Sequence, residues 1–226
     1  MPGAAFFDLD RTLLSRSSSL ALAPAFRTRG LLLRRDQAKA ALAQFIFVRF
    51  GAGSARVGQT AETGMTILKG LNVELLREIV AEAFDTALKP YVYRDALDLV
   101  DGHRARGERS FIVSAALQEI VDALVRELGL DGGIGSTAEV GDGRYTGRLG
   151  RRLYGPEKAD ALGELAVRED IDLAISTAYS DSASDLPFLE AVGRPVVVNP
   201  DRSLRRIARD RGWPMLHFRT KAFVGR

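Results

Sequence analysis

Two rhythms of apolar and polar residues divide the chain. Ala4-Ala5-Phe6-Phe7 is a compact apolar run that reads as a buried strand stopping at Asp8. The pattern then turns helical. Ser17-Ser18-Ser19 can cap a helix through Phe26, and Asp36 can cap a second through Phe50. Leu75, Leu76, Ile79, Val80 and Ala83 repeat at helical spacing within Leu71 to Leu88.

Beyond Pro90 short strands alternate with helices: a helix over Tyr93 to Arg106, a strand over Ser110 to Val113 and a helix over Leu117 to Leu128. Gly141-Asp142-Gly143 between Thr137–Val140 and Arg144–Leu149 predicts a hairpin, because these residues tolerate positive φ. A helix from Pro156 through Val167, a strand over Leu173 to Ala178, a helix near Asp185 to Ala191, a strand over Pro195 to Val198 and a helix from Asp201 to about Arg211 follow.

This layout predicts an α/β protein with a doubly wound parallel sheet. Residues 1–14 and 90–226 form its Rossmann-like core, and residues 15–89 form an inserted all-helical cap. A structureless loop of that length would be out of place in a compact domain, so the insert should pack over the strand ends.

Composition narrows the chemistry. With 226 residues, 46% of them hydrophobic, the chain can bury a substantial core. It has no cysteine, which excludes disulfides, thiolate nucleophiles and zinc–thiolate sites. The two histidines, His103 and His217, suggest no histidine metal motif, so any metal should be held by oxygen. No stretch has signal-peptide character or approaches the roughly 20 apolar residues of a membrane span, and the expectation is a cytoplasmic protein. A net charge of +3 is compatible with anionic partners and selects none.

Acidic residues gather where strands are predicted to end. Asp8 and Asp10 are two apart, so on extended backbone both carboxylates leave on the same side, and such a pair can supply a nucleophile and a proton-transfer group. Asp181 and Asp185 follow another predicted strand, four residues apart. Ser114 ends the run Phe111-Ile112-Val113, where its hydroxyl can hold a phosphate oxygen or simply cap the next helix. Lys158 lies near a helix start, the wrong end for a cation on the helix dipole, so it is either a solvated lysine or held by something else. Four carboxylates meeting from two strand ends would need compensation, and Mg²⁺ suits them best as a hard ion that bridges to phosphate oxygens.

In this order the residues resemble the four motifs of the haloacid dehalogenase superfamily, and the insert between the first two matches the cap position of its phosphoserine phosphatase-like branch. Phe6-Phe7-Asp8-Leu9-Asp10-Arg11-Thr12 is similar to the first motif, Ile112-Val113-Ser114 to the second, Lys158 to the third, and Ser180-Asp181 through Asp185 to the fourth. The resemblance implies a Mg²⁺-dependent phosphatase acting on a small phosphorylated metabolite. Asp8 would be the nucleophile, Asp10 the acid/base, Ser114 and Lys158 the phosphate-binding groups, and Asp8, Asp10, Asp181 and Asp185 the metal set, with Asp10 acting through its main-chain carbonyl and Asp185 through water.

The resemblance also implies a glutamate shortly after the first motif and a later cap arginine if phosphoserine is the substrate. Here Ser17 stands at about the glutamate's place and Thr63-Gly64-Met65 offers no arginine. Two other readings remain open: a phosphotransferase with the same covalent intermediate, and a noncatalytic anion-binding module on the same fold. The basic residues Arg16, Arg27, Arg29, Arg34, Arg35, Lys39, Arg49 and Arg56 read more readily as a solvated face than as a guide for polyanions, and no nucleic-acid partner is expected.

Overall fold

The computed structural model describes residues 1–31 and 68–223. Its centre is β1 (Ala4–Phe7), four buried residues that pair in parallel with β2 (Arg109–Leu117) on one side and β6 (Thr177–Ser180) on the other. From β1 the sheet grows outward to β2 and β3 (Gly132–Ser136), and in the opposite direction to β6, β7 (Arg194–Val198) and β8 (Met215–Leu216). All of these pairings are parallel. The winding reverses between β1 and β6, the kind of junction at which open α/β sheets bind ligands beyond their carboxyl ends.

Helices cover both faces, as a parallel sheet requires. Phe7, Ile112 and Tyr179 contribute to one core with α1 (Ser18–Thr28), α2 (Val73–Ala83), α3 (Arg94–Ala105) and α4 (Gln118–Leu128). Phe6, Phe111, Val113 and Val197 face a second core with α5 (Pro156–Arg168), α6 (Leu186–Glu190) and α7 (Arg202–Arg211). The alternation of Phe6 and Phe7 between the two cores follows from the two-residue repeat of a strand.

Between β1 and β2 the elements among the described residues are helices joined by turns and isolated bridges. The chain leaves and re-enters this region at one place: Ser15 N–H donates to the Tyr91 carbonyl at 2.7 Å and Tyr93 N–H to that of Leu13 at 3.0 Å. Asn72 caps α2 by accepting from the N–H groups of Glu74 and Leu75. The expected helix over Asp36 to Phe50 lies outside the described residues.

Several element bounds differ from the sequence reading. The helix expected to continue to Leu88 ends at Ala83 and passes into a π-turn over Phe84–Leu88. The strand expected over Leu173 to Ala178 is shifted: Leu173–Ile175 is a 3₁₀ turn, and β6 runs Thr177–Ser180. Asp172 accounts for the shift, since its side chain accepts from Ala174 N–H and stabilises the turn. β3 was not anticipated, because Gly132-Gly133-Ile134-Gly135-Ser136 looks like a loop. Its glycines are demanded by packing. A Cβ on Gly133 would lie 2.5 Å from Val121 Cγ1, and one on Gly135 would lie 2.7 Å from the Ala116 carbonyl oxygen. The hairpin forms as β4 (Ala138–Gly141) and β5 (Arg144–Leu149), with Asp142 and Gly143 at positive φ.

Candidate active site

The carboxyl ends of β1 and β6 carry the acidic residues. Asp8 directly follows β1, and its N–H donates to the Tyr179 carbonyl of β6 at 2.9 Å, which ties the two strand ends together. Behind them Phe7 stacks on Tyr179 with ring centroids 4.6 Å apart. Asp181 follows β6, and Asp185 closes a 3₁₀ turn begun by Ser182, whose hydroxyl accepts from Ser184 N–H. Asp8, Asp181 and Asp185 are all buried.

Lys158 enters from the first turn of α5, 1% exposed. Its Nζ donates to Asp8 Oδ1 and to Asp185 Oδ2, both at 2.6 Å, and lies 4.6 Å from the Phe188 ring centroid. The Ser180 hydroxyl donates to the same Asp185 oxygen at 2.7 Å. The helix start that seemed the wrong place for a cation is thus explained by two carboxylates.

Burial raises the Asp8 carboxyl to about 7, against the opposing pull of Lys158, and the charges of Asp185 and Asp10 push the same way as burial. Burial alone would lower the Lys158 ammonium, but the charges of Asp185 and Asp8 outweigh it and hold that group up at about 12. Asp181 is raised well above the usual carboxylate range, first by burial and then by the charge of Asp8. The four groups share one electrostatic neighbourhood.

Asp10 has a different setting. Its Oδ1 accepts from Ser18 N–H at 2.8 Å, so it caps α1 in place of the anticipated serine side chain, and Ser17 makes no capping bond. Burial raises its carboxyl, against the lowering effect of the Ser18 and Ser17 hydrogen bonds. Ser114 lies two residues past Ile112, the partner of Phe7 on β2, and therefore at the same edge of the sheet. Its hydroxyl accepts from Ala116 N–H at 3.1 Å.

Sequence reasoning gave no role to several residues found here. The Thr12 hydroxyl is buried without a partner among the described residues, next in the chain but one to Asp10. Arg11 adopts φ 68°, unusual for a residue with a β-carbon, and its Nη1 lies 3.6 Å from Asp181 Oδ2. Asp201, expected only as a helix cap, does cap α7 through Leu204 N–H, and it also accepts from Ala183 N–H and donates its own N–H to the Asp181 carbonyl. Spacing announces none of these contacts, although Arg11 and Thr12 stand within the first motif.

Among the described residues no three Asp, Glu or His side chains form a ready metal cage. Lys158 engages one oxygen of Asp8 and one of Asp185, and Ser180 engages the same Asp185 oxygen, so a cation could meet the other oxygens of these two carboxylates and those of Asp181. That oxygen-only set fits a hard ion that takes one or two carboxylates and keeps its waters, as Mg²⁺ does. A cleft of about 500 Å³ lined by His103, Arg106, Arg194 and Trp213 opens elsewhere, at the starts of β6 and β7, and contains none of these carboxylates.

Residues 5–190 match the family model of haloacid dehalogenase-like hydrolases. The chain is 43% identical to the inhibition of morphological differentiation protein of Streptomyces azureus, over 95% of this chain and 78% of that one. It is 35% identical to a phosphoserine phosphatase of Mycobacterium tuberculosis, over 97% and 72% respectively. A protein of unknown function from Bordetella pertussis Tohama I has the same fold, with a TM-score of 0.82 and 30% identity over 96% of this chain and 98% of that one. The sheet order, the buried acidic strand ends and these likenesses agree: the chain belongs to the haloacid dehalogenase-like hydrolases, in their phosphoserine phosphatase-like branch, and is a phosphatase.

Proposed function

We propose that the chain hydrolyses a small phosphomonoester through an aspartyl-phosphate on Asp8, with Mg²⁺ as cofactor. The observation that carries this reading is the meeting of Asp8, Asp181 and Lys158 at the ends of adjacent parallel strands, where the winding of the sheet reverses. Asp8, Asp181 and the main-chain carbonyl of Asp10 would hold the Mg²⁺, with Asp185 behind them through water. Bound there, the ion supplies charge neutralisation for a phosphoryl group.

In the first step an Asp8 carboxylate oxygen forms a bond to phosphorus as the bond to the leaving oxygen breaks. Asp10 gives that oxygen its proton, and its raised pKa suits a carboxyl that must carry one. In the second step Asp10 takes a proton from water, the water oxygen bonds to phosphorus, and the Asp8–phosphorus bond breaks to release phosphate. Lys158 holds the Asp8 carboxylate in place and offsets phosphoryl charge, and Ser114 hydrogen-bonds a phosphoryl oxygen. Residues 15–89 act as the cap over this edge. The paired crossing at Leu13–Ser15 and Tyr91–Tyr93 supports that division, because both ends of the insert leave the core side by side there.

Ser17, where a phosphoserine enzyme would place its glutamate, points to a substrate other than phosphoserine. A hydrolysis screen over phosphorylated metabolites with added Mg²⁺ tests the whole reading. Asp8→Asn should abolish turnover while leaving the circular dichroism spectrum unchanged, and undiminished turnover in that variant rules out the nucleophile. Recovery of a phosphorylated alcohol instead of free phosphate, with an alcohol present, would turn the assignment towards phosphotransfer.

A further inference from the structure

Arg11 is held in a conformation that L side chains avoid, beside Asp181, a buried carboxylate that Lys158 does not touch. Left-handed backbone at a residue with a β-carbon persists only where the surroundings impose it, and such residues concentrate at working sites. The turn around it is fixed: Thr12, Leu13 and Leu14 all donate their N–H groups to the Leu9 carbonyl. Glycine would meet that backbone requirement without strain, so the presence of arginine calls for a reason in its side chain.

The guanidinium provides one. Asp181 is nearly buried and makes one ion pair among the described residues, to Arg11, whose side chain is 42% exposed. Lys158 is committed to Asp8 and Asp185, so Arg11 supplies the positive charge next to Asp181. We propose that Arg11 is a built-in counter-cation of Asp181 that competes with the divalent ion and sets the metal affinity of the site. Arg11 is a positioning residue: it acts on Asp181 rather than on substrate. This inference rests on the Mg²⁺ assignment above and goes beyond it by naming the residue that opposes loading.

The test is Mn²⁺ binding to the full chain without substrate, followed by the electron paramagnetic resonance signal of free Mn²⁺, for wild type, Arg11→Gly, Arg11→Ala, Arg11→Lys and Asp181→Asn. Removing one positive charge several ångströms from a divalent ion at a partly solvated site should tighten binding by about three- to tenfold in both Arg11→Gly and Arg11→Ala. Arg11→Lys keeps the charge and should stay near wild type. The gain should shrink as ionic strength rises, which a purely structural role would not produce.

Glycine also relieves the left-handed backbone whereas alanine does not, so equal gains identify charge as the cause, and a gain in Arg11→Gly alone overturns the proposal. Affinity unchanged or weakened in both variants overturns it as well. Asp181→Asn separates the two claims. Loss of Mn²⁺ binding in it supports the metal assignment whatever the Arg11 variants do, while wild-type binding in it removes that assignment and this inference together.

Discussion

The charges at the strand ends and those on the β4–β5 hairpin use the same chemistry in opposite surroundings. On the hairpin Arg148 grips Glu139 through both Nε and Nη2, and the pair stands in solvent with side chains 73% and 41% exposed. The hydrogen bonds from Arg148 hold the Glu139 carboxyl down at about 2, yet water solvates each partner nearly as well alone. Lys158 meets Asp8 and Asp185 with almost no water near, and there every partner depends on the others. Geometry is good in both places, so burial decides which one matters to the molecule.

Three substitutions can break or sharpen that contrast. Lys158→Met should have the largest effect. It leaves two buried carboxylates without their cation, and about 3 kcal/mol of stability should be lost in urea denaturation of the metal-free protein. Added Mg²⁺ should restore part of it, because binding to the folded state stabilises that state. An unchanged urea midpoint would show that the buried set is not interdependent.

His103→Leu tests a buried polar group of intermediate kind. The His103 Nε2 lies 2.8 Å from the Tyr179 hydroxyl, and its Nδ1 lies 2.6 Å from Glu108. Leaving the tyrosine hydroxyl unpaired should cost about 2 kcal/mol at pH 8. The pH dependence has a definite sign. Burial lowers the His103 pKa from the ordinary 6.5, so below pH 6.5 the unfolded chain binds a proton there that the folded chain resists. The histidine's contribution is therefore full above pH 6.5 and fades as the pH falls through the lowered folded value. The stability gap between wild type and variant should narrow from pH 8 to pH 5, and a gap that widens on acidification contradicts the assignment.

Glu139→Gln should have the smallest effect, with no resolvable change in Tm at 0.15 M salt. A drop as large as that of the histidine variant would erase the distinction between the two regions.

Much of the acidic edge was legible because each carboxylate follows an apolar run or precedes a helical one, as with Phe6-Phe7-Asp8 and the string from Ser180 to Asp185. Lys158 was noticeable because a cation is out of place at a helix start, but its two partners lie far away in sequence and only the fold brings them together. β3 escaped because its glycines are there for the neighbouring β2 and α4, a reason invisible in the strand's own composition. His103 looked like a lone histidine, since nothing in its spacing points to Tyr179. The left-handed turn at Arg11 was equally hidden: residue type gives a preference for φ, and the surroundings of Leu9 override it.

The central position of β1 makes the acidic edge depend on distant parts of the chain. Ala5 pairs with Ser110 on one flank and Thr177 on the other, so β1 has both of its neighbours only once the chain has been made as far as β6. Until then Asp8 and Asp10 have no rigid platform beneath them, and the contacts of Asp8 with Lys158 and with the Tyr179 carbonyl cannot coexist. The acidic edge is in this sense a property of the finished sheet and of no single segment.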